Sequence, residues 1–358
     1  MIVKTGSDIC IPEAELIEFA AALLVAAGVS RPSGRLVAEA LVAADMEGQA
    51  SHGVTLVPLY IERIRGGSVS LRTQARVASD RGSAVVLDAQ NALGQLTSQQ
   101  AIDILKERVP EHGIATVAVR NGFHFGTAGR WAQMLADHGW IGVAMSNTRP
   151  LMPAPGGAER VVGNNPIAIA MPSESGPPIL LDMAMSASAM GKIRLAQAAG
   201  EHIPEGWATD ASGQPTTDPA EAIKGMLLPA AGPKGFGLAF MIDLFCGGLS
   251  CGAIGGEVKP LYGDASEPYA CAHFFLGIDV KRFCEAAQFR ARVTGFAERV
   301  RHSRRSMGVD RIFTPGEPAW RVLQKNGGMC PLASEVVKEL KQTAQQLGVT
   351  GTGVFAGE

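Results

Sequence analysis

Between residues 84 and 199, short apolar runs alternate with helical patterns, and no other feature constrains the fold of this chain as much. The apolar runs are Ala84–Asp88, Ala115–Arg120, Ile141–Ser146, Pro166–Met171 and Ile179–Asp182. Helical patterns fall at about 95–109, 127–138 and 186–199. Strands that alternate with helices predict an α/β core. The flanks read differently. Residues 12–27 open with Pro12 and close at Gly28, the usual order of helix punctuation. Further helical runs are expected at 33–47 and about 54–65, and near the C-terminus at 281–302 and 332–346. A strand is expected at His273–Val280. We therefore expect an N-terminal helical part (1–80) packing with the C-terminal part, an α/β core (81–280) carrying the site, and a C-terminal helical part (281–358).

With 358 residues, 46% of them hydrophobic, the chain can build two packed lobes at ~150 residues per domain. Charged residues make up 18% and the formal net charge is -2, which lacks the clustered basic face of a nucleic-acid binder. One basic stretch, Arg299 to Arg305, reads either as a solvated helix end or as a neighbour of a cofactor phosphate. Six cysteines without a CxxC pair predict free thiols in a reducing cytoplasm. The N-terminus MIVKTGSDIC has no signal-peptide pattern. The apolar segment Phe236–Gly256 carries Asp243 near its middle and six glycines. A central Asp is costly in a membrane span, so we expect a buried helix at about 235–247 followed by a glycine-rich turn, and no membrane association.

A GxGxxG turn between strand and helix would mark a Rossmann dinucleotide site. The nearest match, Gly351-Thr352-Gly353-Val354-Phe355-Ala356, lies two residues from the chain end, so no helix can follow it. No zinc-binding spacing is seen, and no metal is expected. Ser51-His52-Gly53 lies between two helical patterns. With Ser51 as N-cap, His52 would sit in a first helical turn, where the helix dipole disfavours imidazolium and leaves a neutral base. The alternative is a histidine that merely packs there. His124 lies in Asn121-Gly122-Phe123-His124-Phe125-Gly126-Thr127-Ala128-Gly129, after a strand and before a helix. Ligand sites in α/β sheets gather at such strand ends. Asp182 ends an apolar strand and could accept a ribose hydroxyl or cap the helix that follows. Lys234, in Gly232-Pro233-Lys234-Gly235, stands at a helix start whose free N–H groups suit an anion; it reads equally as a solvated lysine.

In this order the segments resemble the malate/L-lactate dehydrogenase-like family, which also holds sulfolactate, ureidoglycolate and diketogulonate dehydrogenases and cyclic-imine carboxylate reductases. The matching segments are Ser51-His52-Gly53 with Tyr60, His124-Phe125-Gly126, Gly163-Asn164-Asn165-Pro166, Leu181-Asp182-Met183-Ala184, Gly191-Lys192-Ile193, Pro204-Glu205-Gly206-Trp207-Ala208, Pro233-Lys234-Gly235 and Pro315-Gly316-Glu317-Pro318. The resemblance spans about residues 12–325. It implies the family's non-Rossmann fold, with helical N- and C-terminal parts around a mixed-sheet core, and a homodimer with its site near the subunit interface. It implies NAD or NADP as cofactor and a small 2-hydroxy or 2-oxo acid as substrate. His52 and His124 match histidines with catalytic or substrate-binding roles, and Ser51 would support His52. Gly126, Thr127, Ala128, Asp182, Met183, Ala184, Ser186, Lys234, Phe313, Thr314, Pro315 and Gly316 match the cofactor side, together with His52.

Two departures bear on the substrate. Many relatives carry arginine where this chain has Leu56, so another group must hold a substrate carboxylate. Arg149, at the end of the strand Ile141–Ser146, is the candidate; Arg130 and the backbone near Gly126 are the alternatives. Leu56 itself would face an apolar substrate side chain. The imine reductases carry an acid where this chain has Lys192, which counts against an imine substrate. A catalytically silent dimeric binding protein on the same scaffold is the competing reading from outside the enzymes.

Overall fold

The structure is a computed structural model and describes residues 8–356. Most of the segment that bears on a signal peptide, residues 1–7, lies outside them. In chain order the first half holds β1 (Ile9–Pro12), α1 (Glu13–Ala26), α2 (Arg31–Met46), α3 (Val57–Arg65), β2 (Arg76–Asp80), β3 (Ala84–Asp88), α4 (Gly94–His112), β4 (Ile114–Gly122), α5 (Ala128–Ala136), β5 (Trp140–Ser146), β6 (Ile167–Met171) and β7 (Ile179–Met183). The second half holds α6 (Met190–Ala199), β8 (Ala208–Thr209), β9 (Pro215–Thr216), α7 (Pro219–Lys224), β10 (Met226–Leu227), α8 (Pro233–Asp243), β11 (Cys271–Asp279), α9 (Ala286–Arg301), α10 (Glu317–Asn326), β12 (Met329–Leu332) and α11 (Ser334–Leu347).

Seven strands form one sheet in the order β2-β3-β4-β11-β5-β6-β7. Only β3 and β4 pair in parallel, through the crossover helix α4. Every other pair is antiparallel. The sheet is therefore mixed, not the parallel array that a dinucleotide fold of the common kind requires. Strand β11 arrives from far along the chain and is inserted between β4 and β5. Its burial on both faces explains why it reads as an apolar run, Cys271 to Leu276, broken only by His273.

Helices α4 and α5 cover one face of the sheet through Ile102, Leu105, Trp131 and Leu135. On the other side, Met152, Ile193, Ile242 and Phe274 form a second cluster beneath α6, α7 and α8. A third cluster joins α1, α2, α3 and α11 through Leu16, Leu24, Leu41, Tyr60 and Leu340. The two ends of the chain are also tied by the β1–β12 antiparallel pair. All six cysteines are unpaired.

Three sequence expectations are corrected. The helix expected at 54–65 begins at Val57; Ala50–His52 and Val54–Leu56 are tight 3₁₀ turns before it, and Ser51 caps nothing. The helix expected to be buried near 235–247 is buried on one side only. Gly235, Ala239, Ile242 and Asp243 face inward, while Leu238, Phe240, Met241 and Phe245 are exposed. Asp243 belongs to the buried side because its carboxylate accepts from Asn147 Nδ2 at 2.8 Å and from the Gly255 N–H at 3.2 Å. No helix among the described residues is long and apolar enough to cross a membrane. Within the basic stretch, Arg301 points at a protein carboxylate: its Nε donates to Glu317 at 2.9 Å.

Candidate functional site

His52 ends the turn Ala50–His52 and is half-buried. The turn stands directly on Asp45, which α2 places in the core. Asp45 Oδ2 accepts the Val54 N–H at 2.7 Å. Gly53 is required between them, because a Cβ there would stand 2.0 Å from Asp45 Oδ1. Burial pushes the Asp45 carboxyl up to about 7, against the lowering effect of the Val54 hydrogen bond. Ser51 Oγ lies 3.0 Å from His52 Nδ1. His52 does not gain its low proton affinity from a helix start. Burial alone pushes its pKa below the ordinary imidazole value.

His124 follows β4 on the loop before α5. Its ring centroid is 5.4 Å from that of His52. Its Nδ1 lies 2.7 Å from Tyr60 Oη, and Gln95 Nε2 donates to the same oxygen at 2.9 Å. Tyr60 and Gln95 are both fully buried. Beneath the loop, His273 Nε2 lies 3.1 Å from the Phe123 carbonyl, and its ring stacks on Phe125 at 4.4 Å. Burial holds His273 neutral, with a pKa pushed down to about 4. Burial, then the charges of His52 and His273, push His124 well below the ordinary value. Two neutral imidazoles thus stand side by side at neutral pH.

A cavity of about 1040 Å³ opens beside them. Its wall includes Gln49 and Thr127, three residues from His52 and His124, together with Gly129, Asp182 and Gly316. The histidines themselves are not on that wall. Asp182, on β7, does not cap α6, the helix that follows it; it meets the first turn of α5 instead. Its Oδ2 accepts the Gly129 N–H at 2.8 Å, and a Cβ on Gly129 would stand 2.6 Å from it. Burial pushes Asp182 up to about 6, and burial with the nearby Asp182 charge also raises Glu47. Arg130 shares this wall with Glu47 and Asp182, so it faces the cavity. Gly316 meets β7 from the other side: the Leu180 N–H donates to the Pro315 carbonyl at 3.1 Å. That loop is fixed by Glu317, which accepts from Arg301, Arg321 and Thr314. Burial works against its charge, but these donors hold Glu317 at about 2.

The structure gathers the remaining sequence candidates unevenly. Gly126 and Ala128 flank Thr127, and Phe313 and Thr314 lead into Pro315-Gly316. Met183 and Ala184 follow Asp182, and Ser186 comes next with its Oγ buried and without a protein partner. Lys234 is the second residue of α8, exposed, and does not line the cavity. Leu56 is 2% exposed and belongs to the N-terminal core with Tyr60 and Phe123. Arg149 is half-buried, and its guanidinium meets no acceptor among the described residues. No cluster of three metal-binding side chains occurs among them. Sequence reasoning missed Asp45, Gln95 and His273. The available signal was a lone polar residue in an apolar stretch, as in Val42-Ala43-Ala44-Asp45-Met46 and Ala272-His273-Phe274.

The family described as malate/L-lactate dehydrogenase matches residues 11–341. The malate dehydrogenase of Pyrococcus abyssi is 35% identical over 353 residues, covering 96% of either chain. The (2R)-3-sulfolactate dehydrogenase (NADP(+)) of Chromohalobacter salexigens is 34% identical over 337 residues, 94% of this chain and 98% of that one. The solved sulfolactate dehydrogenase of Methanocaldococcus jannaschii superposes with a TM-score of 0.90 at 30% identity, over 95% of this chain and 98% of that one. The non-Rossmann mixed-sheet fold implied by the motifs is thus the one observed. The family match over residues 11–341, the sequence identity across most of the chain and the shared fold show that the chain belongs to the malate/L-lactate dehydrogenase family.

Proposed function

We propose that the protein is an NAD(P)-dependent oxidoreductase that interconverts a 2-hydroxy acid and a 2-oxo acid, with His52 moving the proton. The observation that carries this reading is the pair of neutral imidazoles 5.4 Å apart, on segments whose neighbours Gln49 and Thr127 line the cavity. Relatives named as dehydrogenases of hydroxy acids, with NAD(+) or NADP(+), support it.

The cavity suits a dinucleotide. At about 1040 Å³ it has the volume of a large ligand pocket. Arg130, Gln133 and Asp182 on its wall offer charged and polar groups to such a ligand. The nicotinamide, when bound, supplies the hydride. The chain's own residues do the rest. A neutral His52 accepts a hydroxyl proton as a general base, and Ser51 Oγ holds its ring from Nδ1. His124 offers its second ring nitrogen to a substrate oxygen. Arg149 supplies the cation that Leu56 lacks. The apolar face of α8 and the turn after it, with Leu238, Phe240 and Phe245 open to solvent, is where a second copy would pack to make a homodimer.

The test is NADH and NADPH oxidation with a panel of 2-oxo acids and cyclic imine carboxylates. Turnover of a 2-oxo acid with either cofactor is expected. Turnover of imines alone, or tight cofactor binding without any turnover, would overturn the reading.

A further inference from the structure

We propose that Gln95 is a positioning residue that acts through Tyr60 to lock His124 as a neutral imidazole with its proton on Nε2, a fixed hydrogen-bond donor rather than a proton carrier. Three contacts and one unpartnered atom carry this. Gln95 Nε2 donates to Tyr60 Oη at 2.9 Å. Tyr60 Oη lies 2.7 Å from His124 Nδ1 and 3.3 Å from the His124 carbonyl. Gln95 Oε1 is buried and has no protein partner, so it does not compete for the tyrosine proton.

A phenol oxygen has one proton to give and two lone pairs to fill. The Gln95 N–H fills one lone pair. The phenol proton then has two acceptors, His124 Nδ1 at 2.7 Å and the His124 carbonyl at 3.3 Å. The shorter contact is much the better hydrogen bond. Donation from Gln95 also polarises the phenol O–H and strengthens its gift to Nδ1, as in any hydrogen-bond chain. With Nδ1 accepting, the one proton of the neutral ring sits on Nε2. Reversal would require Nδ1–H to donate to Tyr60, leaving the phenol proton only the long contact to the carbonyl. A carrier must change its protonation state, and burial among Tyr60, Phe123 and His273 opposes a charged ring.

His52 is built differently. Its Nδ1 meets Ser51 Oγ, which can donate or accept and is itself exposed. Nothing locks that ring to one tautomer, and its partner reaches solvent. The two histidines therefore divide the work: His52 exchanges the proton, and His124 Nε2–H holds a substrate oxygen. Only this last use rests on the proposed function; the tautomer is a property of the ligand-free protein.

The experiment uses full-length protein labelled with ¹⁵N-histidine, in which long-range proton–nitrogen spectra report which ring nitrogen of each histidine is protonated. The His124 signals are identified by their loss in His124→Gln. At pH 7.5 the wild type is expected to show His124 protonated on Nε2. Gln95→Leu removes the donor while filling the space, and a Nδ1-protonated population should appear. In the same variant kcat/KM for the 2-oxo acid should fall on the order of tenfold, mostly in KM, because a substrate donor is weakened. A wild-type signal with Nδ1 protonated overturns the proposal, as does an unchanged tautomer in Gln95→Leu. If Gln95→Leu has no cooperative melt, Tyr60→Phe is read instead. It takes away the only proton given to Nδ1, and a His124 still fully Nε2-protonated there overturns the proposal. Because the spectra need neither substrate nor cofactor, they stand whether or not turnover is found.

Discussion

Gly53 lies against the Asp45 carboxylate so closely that a Cβ would stand 2.0 Å from Oδ1 and 2.2 Å from Oδ2. Its φ of -91° is open to any residue, so close approach, not backbone freedom, demands glycine here. The His52 turn is held one residue further on, where Val54 N–H donates to Asp45 Oδ2. Gly53→Ala must push the turn off its support. A displacement of ~1 Å at a catalytic group can cost on the order of 100-fold in rate. We expect Gly53→Ala to lose at least tenfold in kcat, with cofactor affinity within about twofold. Normal kcat with an intact melt would show that the contact does not position His52.

Asp45 also makes a prediction about pH. Its folded pKa of about 7 lies above its ordinary 3.8, so the folded chain holds this proton more tightly than the unfolded chain does. Below pH 4 both states are protonated and the group has no effect. As pH rises from 4 to 7 the unfolded state ionises freely and the fold loses stability. Above 7 the loss is constant, on the order of 4 kcal/mol. Asn at this position keeps an acceptor for Val54 N–H and has no proton to lose. Asp45→Asn should therefore raise the melting temperature at pH 8 and leave it nearly unchanged at pH 4. An equal effect at both pH values would rule out the buried carboxyl as its cause.

His52→Ala tests the proton carrier. A lost general base typically costs on the order of 100-fold or more in kcat. NADH affinity, read by fluorescence titration, should change little. Burial pushes the His52 pKa below its ordinary 6.5, so the base form persists into mildly acidic solution. In the oxidation direction the acid limb of kcat/KM should have its midpoint below pH 6.5. Near-normal turnover in the variant would move the proton role to His124, against the lock described above.

The apolar face of α8 predicts assembly. Leu238 is 56% exposed and Phe240 50%. Contiguous apolar surface of this kind marks an interface. Sedimentation at micromolar concentration should give particles of twice the chain mass, and Leu238→Asp with Phe240→Asp should halve them. A wild-type monomer under these conditions would sink the interface.

How much of this was legible in the sequence follows from the range of each interaction. The strands β3 to β7 were readable because each is a local apolar run bounded by turn residues. The place of β11 between β4 and β5 was not, because pairing over such a distance leaves no local trace. The β1–β12 pair escaped for the same reason. His52 and His124 were legible as motifs, but their surroundings were not. Asp45 acts through a backbone N–H, Gln95 through Tyr60, and His273 through a carbonyl. None of those contacts is written in the spacing of the residues that make them. The expected helix cap at Ser51 failed because Gly53 and Asp45 favour tight turns there before α3 begins.

The last prediction concerns Arg149. A substrate carboxylate that enters the site loses its water and needs a cation or several N–H donors in exchange. Leu56 is sealed in the core and supplies none. Arg149 follows Thr148, whose N–H is fixed by Asn165 Oδ1 at 2.9 Å, while Asn165 Nδ2 donates to the Ala239 carbonyl of α8 at 2.8 Å. The Gly163-Asn164-Asn165 motif thus anchors the segment that carries the arginine. Burial, then neighbouring Arg160, lowers the pKa of Arg149, and Tyr269 opposes the shift. Tyr269 in turn packs edge-on against Phe123, the residue before His124. A half-buried guanidinium without an acceptor among the described residues is poised for an anion. We expect Arg149→Met to lower kcat/KM for the active 2-oxo acid about 100-fold, the loss of a charge-assisted pair at ~3 kcal/mol. Cofactor affinity should not change, which separates this effect from damage to the cavity behind Asp182. A change under about threefold would assign the carboxylate to Arg130 or to the backbone near Gly126.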